Sequence, residues 1–473
     1  MSSKTAKPKA EMPLWRSIAS LEPGLVMHMT AAIMVFMVVQ DFMLEKACRV
    51  NLDYGDAVCD ALKAKNAGDK YATEEKEVQK LISSVMVYRT LLENAFPMVL
   101  VFLIGAWSDK YGRKLPMLLV IGAFLIQNVL LIGCVFLEKA TGAWSVAVVS
   151  SLIASLSGNQ ACFMVAVFSY VSDNTVVEKR TMRTGIAHCC IFLGVTLGLA
   201  GGGALSHSGL PFATCFLLGV GLEAVSLIYL WVMMENQPQP GATKGKSWSQ
   251  IIGELFDFKH IKDAWTSVMR PREDGARMKL WLLLVAHACA LMPMMGEMGV
   301  CYLFTRLQFD WDGGAFGKWM TYKTVIGFLS NFLSMAVLTS FLKMSDAGTG
   351  IVAALGNLIS SLVFTFATSP FLMYLAPLGT LLSGGGMVVP RATISKIVPT
   401  SELGKINSFI GSLESIIPLV ASSLYTGVYT RYLDILPGSF FLISAAVAVP
   451  PIFIYSWFLS QDKPKKKDDK KKK

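Results

Sequence analysis

Residues Gly105–Lys114 read GAWSDKYGRK. Two glycines bracket an aspartate, and three basic side chains crowd the end of the stretch. Gly105 has no Cβ, so a neighbouring helix can come close to its backbone. Asp109 is placed to meet a basic group or the amino terminus of a helix, where the backbone dipole favours an anion. Gly112 permits a tight turn, and Arg113 and Lys114 are placed to pair with acidic groups. The stretch joins two long apolar runs, Ile82–Trp107 and Pro116–Leu137. It is therefore a short basic connection between two helices long enough to cross a bilayer.

The rest of the chain agrees with a lipid solvent. Of 473 residues, 53% are hydrophobic and 16% charged. A soluble domain carries about a quarter charged residues. A membrane span needs about 20 mostly apolar residues. Such runs occur at Pro23–Leu44, Ile82–Trp107, Pro116–Leu137, Trp144–Val171, Thr184–Leu205 and Phe212–Met234. After a polar stretch they resume at Leu280–Phe304, Phe316–Leu338, Gly348–Thr368, Phe371–Pro390, Leu403–Gly427 and Pro437–Leu459. The fold class is thus an all-α membrane protein of twelve transmembrane helices in two six-helix halves. The predicted organisation is an amino-terminal segment (1–22), a first half (23–234), a central loop (235–279), a second half (280–459) and a basic tail (460–473).

Positive charge collects in cytoplasmic connections. Lys110, Arg113 and Lys114 mark the second connection, and Lys179, Arg180 and Arg183 the fourth. The central loop and the tenth connection, with Arg391, Lys396 and Lys405, add more. Both termini are basic, and an even number of spans places both in the cytoplasm. The tail, KPKKKDDKKKK, is a flank attracted to anionic headgroups rather than a nucleic-acid site.

Ionisable groups deep in a membrane helix are costly and usually functional. Glu223, Glu297 and Glu414 lie in the sixth, seventh and eleventh spans, and His188 and His287 in the fifth and seventh. Burial moves a carboxylate towards the range where it exchanges protons, and histidine titrates there already. Lys323 in the eighth span reads as a lysine reaching for the interface. Glycine runs at Gly201–Gly203 and Gly384–Gly386 read either as close packing or as points of bending. Cys48 and Cys59, in the polar first loop, are placed for an intraloop disulfide. No residue spacing suggests a metal site, and no phosphate-binding loop marks an ATP-driven pump.

GAWSDKYGRK fits the signature G-x-x-x-D-[RK]-x-G-[RK]-[RK] of the major facilitator superfamily, between the second and third spans. Beyond it, the chain resembles solute carrier family 46, the proton-coupled folate transporter and its relatives. Arg180-Thr181-Met182-Arg183 is similar to that family's R-T-x-R, and LFDFKH at Leu255–His260 to its central-loop pattern. Pro390-Arg391-Ala392 with Ser395-Lys396 resembles the end of its tenth helix. The resemblance implies alternating access, a gate formed by Gly105, Asp109, Gly112, Arg113, Lys114, Arg180 and Arg183, and a proton-coupled organic anion. Arg391 matches the family's functional arginine, and Glu297 its aspartate in the seventh helix. Ser151 and Asn159 replace the folate transporter's arginine and aspartate of the fourth helix; His188 replaces a glutamate, and Met292 a histidine. These departures imply another anionic cargo.

The expectation is a symporter, not an enzyme, needing no cofactor beyond the coupling proton. Arg391, Asn159 and Glu414 would hold the small organic anion; Glu297, His188, Glu223 and His287 would handle protons. The chain would act as a monomer in the bilayer of the plasma membrane, or of a lysosome or endosome. A proton-independent facilitator or exchanger, and a non-transporting receptor on the same fold, are the alternatives.

Overall fold

A computed structural model describes residues 14–63, 71–137, 139–235, 238, 242, 245–257, 259–309, 311, 313–399, 402–432 and 435–461. The basic tail and the first lysines lie outside them. The α-helices in chain order are α1 (Leu14–Lys46), α2 (Asp56–Lys63), α3 (Ala72–Tyr111), α4 (Lys114–Phe136), α5 (Ala143–Leu156), α6 (Asn159–Asp173), α7 (Arg180–His207) and α8 (Phe212–Met233). There follow α9 (Trp248–Gly253), α10 (Lys259–Met269), α11 (Ala276–Phe309), α12 (Gly313–Leu333), α13 (Asp346–Thr365), α14 (Pro370–Leu375), α15 (Gly385–Ile397), α16 (Leu403–Tyr432) and α17 (Phe440–Gln461). No strand occurs among the described residues.

Among the described residues, twelve helical segments are long and apolar enough to cross a membrane. In their apolar windows only 33–56% of residues are buried. Water would not tolerate so much exposed apolar surface, whereas lipid tails match it. Leu119, Ile126 and Leu130 on α4, and Leu217, Ile228 and Val232 on α8, present this exposed face.

The chain divides into two compact units. Unit 1 comprises Met1–Val177, Cys190–Met269 and Pro399–Ile416; unit 2 comprises Glu178–Cys189, Arg270–Val398 and Ile417–Lys473. The division falls inside α7 and α16, so each of these helices contributes to both units. In unit 1, α1 and α4 pack on α8, and α3 packs on α5 and α6. Phe42, Phe216, Leu131 and Val146 belong to one core cluster there. In unit 2, α13 and α11 pack on α17, with α15 against both. An aromatic cluster of Phe304, Trp319, Phe364, Phe440 and Phe441 fills one part of it.

The structure departs from the sequence reading in four places. The central stretch 235–279 is not all loop: α9 and α10 form within it, and α11 begins at Ala276. The helix of the second span, α3, extends back to Ala72, ten residues before the apolar run begins. The fourth span is not continuous. Gly158 (φ 91°) and Asn159 (φ 48°) both adopt left-handed backbone, which ends α5 and separates it from α6. The tenth span is also interrupted, by a 3₁₀ turn at Ala376–Thr380 before α15.

The two glycine runs differ in consequence. Gly384–Gly386 stands at the interruption that starts α15. Gly201–Gly203 lies inside α7, which is unbroken there. A Cβ at Gly194, Gly198 or Gly202 would lie within 3.0 Å of the α1 carbonyls of Val26, Thr30 and Met34 respectively. Glycines four apart line one face of a helix, so this face lets α7 lie against α1, the close approach typical of membrane helices.

Candidate functional site

The signature stretch folds into a compact polar cluster within unit 1. α3 ends at Gly112, whose φ of 101° suits a glycine. Arg113 lies four residues beyond Asp109, and its guanidinium pairs with the Asp109 carboxylate. Arg113 Nε also donates to Asp173 Oδ2 at 3.0 Å, and Nη1 to Ser108 Oγ at 2.6 Å. The other partner of Asp109 is the backbone N–H of Gly404, in the first turn of α16, at 3.1 Å. A carboxylate there meets both a cation and the positive end of a helix. A Cβ at Gly105 would lie 1.5 Å from Ser408 Oγ and 2.8 Å from the Gly404 carbonyl, so glycine alone admits α16 this closely. Lys114 does not pair with an acidic group. Its Nζ donates to the carbonyls of Trp231, at 2.5 Å, and Met234, at 2.9 Å, at the end of α8. There the open carbonyls of a helix terminus attract a cation.

Unit 2 contains a counterpart that the sequence reading missed. Asp346 opens α13, and its carboxylate accepts from Thr181 Oγ1 at 2.8 Å and Lys396 Nζ at 2.5 Å. Thr181 is the second residue of α7, as Gly404 is of α16. Arg180 donates to the Ser395 carbonyl, and Arg183 is fully buried. The signal was another Ser-Asp pair, Ser345-Asp346, in the connection corresponding to that of Ser108-Asp109.

The central segment docks on the signature within unit 1. Trp107 Nε1 donates to the Ile251 carbonyl at 2.8 Å. Glu254 accepts from Lys110 Nζ at 2.6 Å, from Lys246, and from the Tyr111 hydroxyl at 2.5 Å. These hydrogen bonds, from Lys110 first and then Lys246 and Tyr111, hold the Glu254 carboxyl down at about 2. Glu254 in turn raises Lys246 above the ordinary lysine range.

Among the polar residues inside the spans, two side-chain pairs stand out. In unit 2, Lys323 Nζ donates to Glu297 Oε2 at 2.8 Å, and Ser444 Oγ to Glu297 Oε1 at 2.8 Å. Lys323 is therefore not an interfacial lysine; a carboxylate inside the bundle holds it. In unit 1, Glu223 and His28 are both fully buried, with His28 Nδ1 2.8 Å from Glu223 Oε2 and Gln160 at the other ring nitrogen, 3.2 Å away. His28 was passed over because a single histidine in an apolar run carries little signal; its partner was the missing half. Arg89, buried and paired with Glu93 at 2.8 Å, was passed over likewise.

The other candidates occupy separate places. Asn159 starts α6, its Nδ2 3.4 Å from the Glu93 carbonyl. Glu414, half-buried on α16, belongs with Asn159 to unit 1. Arg391 (4% exposed), His188 (6%) and His287 (0%) are buried in unit 2 with Glu297. Cys48 and Cys59 are joined by a disulfide beside the C-terminal end of α1.

Comparison with known proteins agrees with this architecture. The pattern of the Major Facilitator Superfamily matches residues 81–344. A Drosophila melanogaster protein described as a probable peptidoglycan muropeptide transporter is 26% identical, over 93% of this chain and 85% of its own. The proton-coupled folate transporter of Rattus norvegicus is 26% identical over 80% of each chain. A lysosomal proton-coupled steroid conjugate and bile acid symporter of Gallus gallus is 25% identical over 94% of each. Among solved structures, the human organic anion transporter TETRAN superposes with a TM-score of 0.69 at 14% identity, covering 94% of this chain and 100% of its own. The Escherichia coli fucose:proton symporter gives 0.62 at 11%, covering 93% and 99%. These relatives are carriers rather than enzymes, and in sequence the chain is similar to solute carrier family 46. With its signature, its twelve spans and a pattern match over more than half its length, the chain belongs to the major facilitator superfamily.

Proposed function

We propose that the chain carries a small organic anion across its membrane by alternating access, in symport with protons. The observation that carries this reading is the Glu297–Lys323 pair, a carboxylate and an ammonium held together inside membrane-spanning helices. Such groups are expensive in lipid and mark substrate or ion pathways. The interrupted fourth and tenth spans support it, because broken helices in corresponding positions of two halves commonly flank a carrier's binding site. Relatives named as transporters of folate, steroid conjugates and muropeptides give the range of cargo.

In this reading Arg391 attracts the anionic group, with Asn159 and Glu414 as further contacts. Glu297, His188, Glu223 and His287 take up and pass protons. The clusters around Asp109 and Asp346 hold the cytoplasmic gate shut by fixing the first turns of α16 and α7. Both termini are cytoplasmic, the chain works as a monomer, and its membrane is the plasma membrane, with a lysosomal or endosomal membrane as the alternative.

The test is uptake into proteoliposomes of labelled folates, steroid sulfates, muropeptides and cyclic dinucleotides, with and without an inward proton gradient. Saturable, gradient-stimulated uptake that is lost in Glu297→Gln supports the proposal. Absence of uptake for every anion overturns it. A proton-independent exchanger is the second reading, favoured by the same pair, since Lys323 neutralises Glu297 without a proton. Saturable uptake indifferent to the gradient selects it.

A further inference from the structure

The pair is asymmetric in a way that suggests how a proton and an anion could be coupled. The side chain of Lys323 is 31% exposed and that of Glu297 only 10%. Of the two side chains, that of Lys323 is the more exposed and that of Glu297 the more buried. Glu297 is held from a second side by Ser444, which Tyr425 supports through a hydroxyl–hydroxyl contact of 2.9 Å. Lys323 also has support that does not depend on Glu297. Its ammonium lies 5.4 Å from the ring centroids of both Trp319 and Phe364. Aromatic faces attract a cation and retain part of their hold when a counter-ion leaves.

We propose that Lys323 binds the anionic group of the cargo, and that Glu297 occupies it until a proton neutralises the carboxylate. This rests on the anion-symport reading above and adds to Arg391 a second cation, Lys323, that recognises the charge. In the empty state the pair is Glu297 carboxylate and Lys323 ammonium, with no net charge. In the loaded state Glu297 is a neutral acid and the cargo's anion sits on Lys323, again with no net charge. A proton and a monoanion thus enter together, and neither charge is left alone in a poorly solvated site, where it would be costly. Ser444 keeps a partner in both states, since its hydroxyl can donate to either form of the acid. The titratable groups facing the pair are the Cys301 thiol from α11 and the Tyr425 phenol from α16. α12, α13 and α17 face it with Trp319, Phe364 and Ser444. α15, also packed on α11, carries Arg391 and Lys396, the latter engaged by Asp346.

The test measures binding of a tritiated steroid sulfate, and separately of folate, to the full chain in nanodiscs across a pH series, with free steroid as the uncharged control. Wild-type binding of the anion should tighten as pH falls. Glu297→Gln should bind at every pH with the affinity the wild type reaches in acid. Lys323→Gln should lose about ten- to a hundredfold in affinity, the worth of a hydrogen bond to a charged group, while binding free steroid as the wild type does. A single substitution can leave a lone buried charge and unfold the bundle, so the double variant Glu297→Gln/Lys323→Gln is measured too. It should bind the anion weakly and without pH dependence. If the wild type binds the anion and the Lys323 variants keep its affinity and pH dependence, the inference is overturned and the transport reading stands. If the wild type binds neither anion and transports no member of the panel, the transport reading falls first and takes this inference with it.

Discussion

The backbone N–H of Gly404 meets the Asp109 carboxylate across 3.1 Å, where α16 begins. Neither residue can change alone. A Cβ on Gly404 would lie 2.2 Å from Asp109 Oδ1, so the carboxylate occupies the volume that any other residue's side chain would need. Gly404→Ala is expected to lower uptake at least tenfold and to lower the melting temperature by a few degrees, because overpacking costs about 1–3 kcal/mol. Gly122→Ala, whose Cβ meets nothing within 4 Å, is the matched control and should leave both unchanged. Normal uptake in Gly404→Ala would show that this contact is not needed in the transport cycle.

Glu254 ties the central segment to Lys110, Tyr111 and Lys246, and its carboxyl is held at about 2. A depressed carboxylate contributes stability that is fully present above the ordinary range, about 4.3, and is lost as pH falls towards the folded value. Docking of residues 245–257 should therefore be constant from about pH 8 to about pH 5 and weaken only in stronger acid. Hydrogen exchange of this segment is the measurement, and Glu254→Gln should raise exchange at every pH. Loosening already between neutral pH and pH 5 would mean that another group governs the docking.

The Cys48–Cys59 disulfide closes a short loop, the cysteines being 11 residues apart. Restricting the unfolded loop stabilises by about 3 kcal/mol for this length. Cys48→Ser, or reduction of the wild type, should lower the unfolding temperature. The double variant Cys48→Ser/Cys59→Ser should then be indifferent to reductant, and a further drop in that variant would point to another reducible bond.

His28 and Glu223 share a site sealed from solvent. Removing the imidazole, which packs on Phe124 and Phe163, leaves the buried Glu223 carboxyl without its His28 partner. His28→Ala is expected to destabilise by about 1–3 kcal/mol or more, the cost of leaving a buried polar group without its hydrogen-bond partner. Glu223→Gln, which keeps a hydrogen-bond acceptor and removes the charge, should cost much less. Thermal unfolding in detergent ranks the two, and equal costs would mean that packing, not charge, dominates there.

Several features were legible in the sequence for specific reasons. The twelve spans stood out because lipid imposes a length and an apolar composition that few other structures need. GAWSDKYGRK stood out because it confines two glycines, an aspartate and three cations to ten residues. By contrast, α9 and α10 lie in a charged stretch with no long apolar run, and they are held by contacts such as Trp107 to Ile251, 144 residues apart. The break at Gly158–Asn159 passed unnoticed because one glycine in an apolar run is ordinary in membrane helices. Of the two readings open for Gly201–Gly203, close packing holds at Gly202 against α1, and the run stays helical because in lipid every backbone group must bond within the helix.

By itself the sequence determined the solvent, the number of spans and the superfamily, because each is written in local composition and short-range spacing. Which charges meet was decided only by the tertiary structure. Glu297 and Lys323 lie 26 residues apart on neighbouring spans, and His28 and Glu223 lie 195 apart. Each looked like an isolated polar residue along the chain. A charge in lipid must find a partner, but linear sequence does not say which helix supplies it; that depends on how the bundle packs.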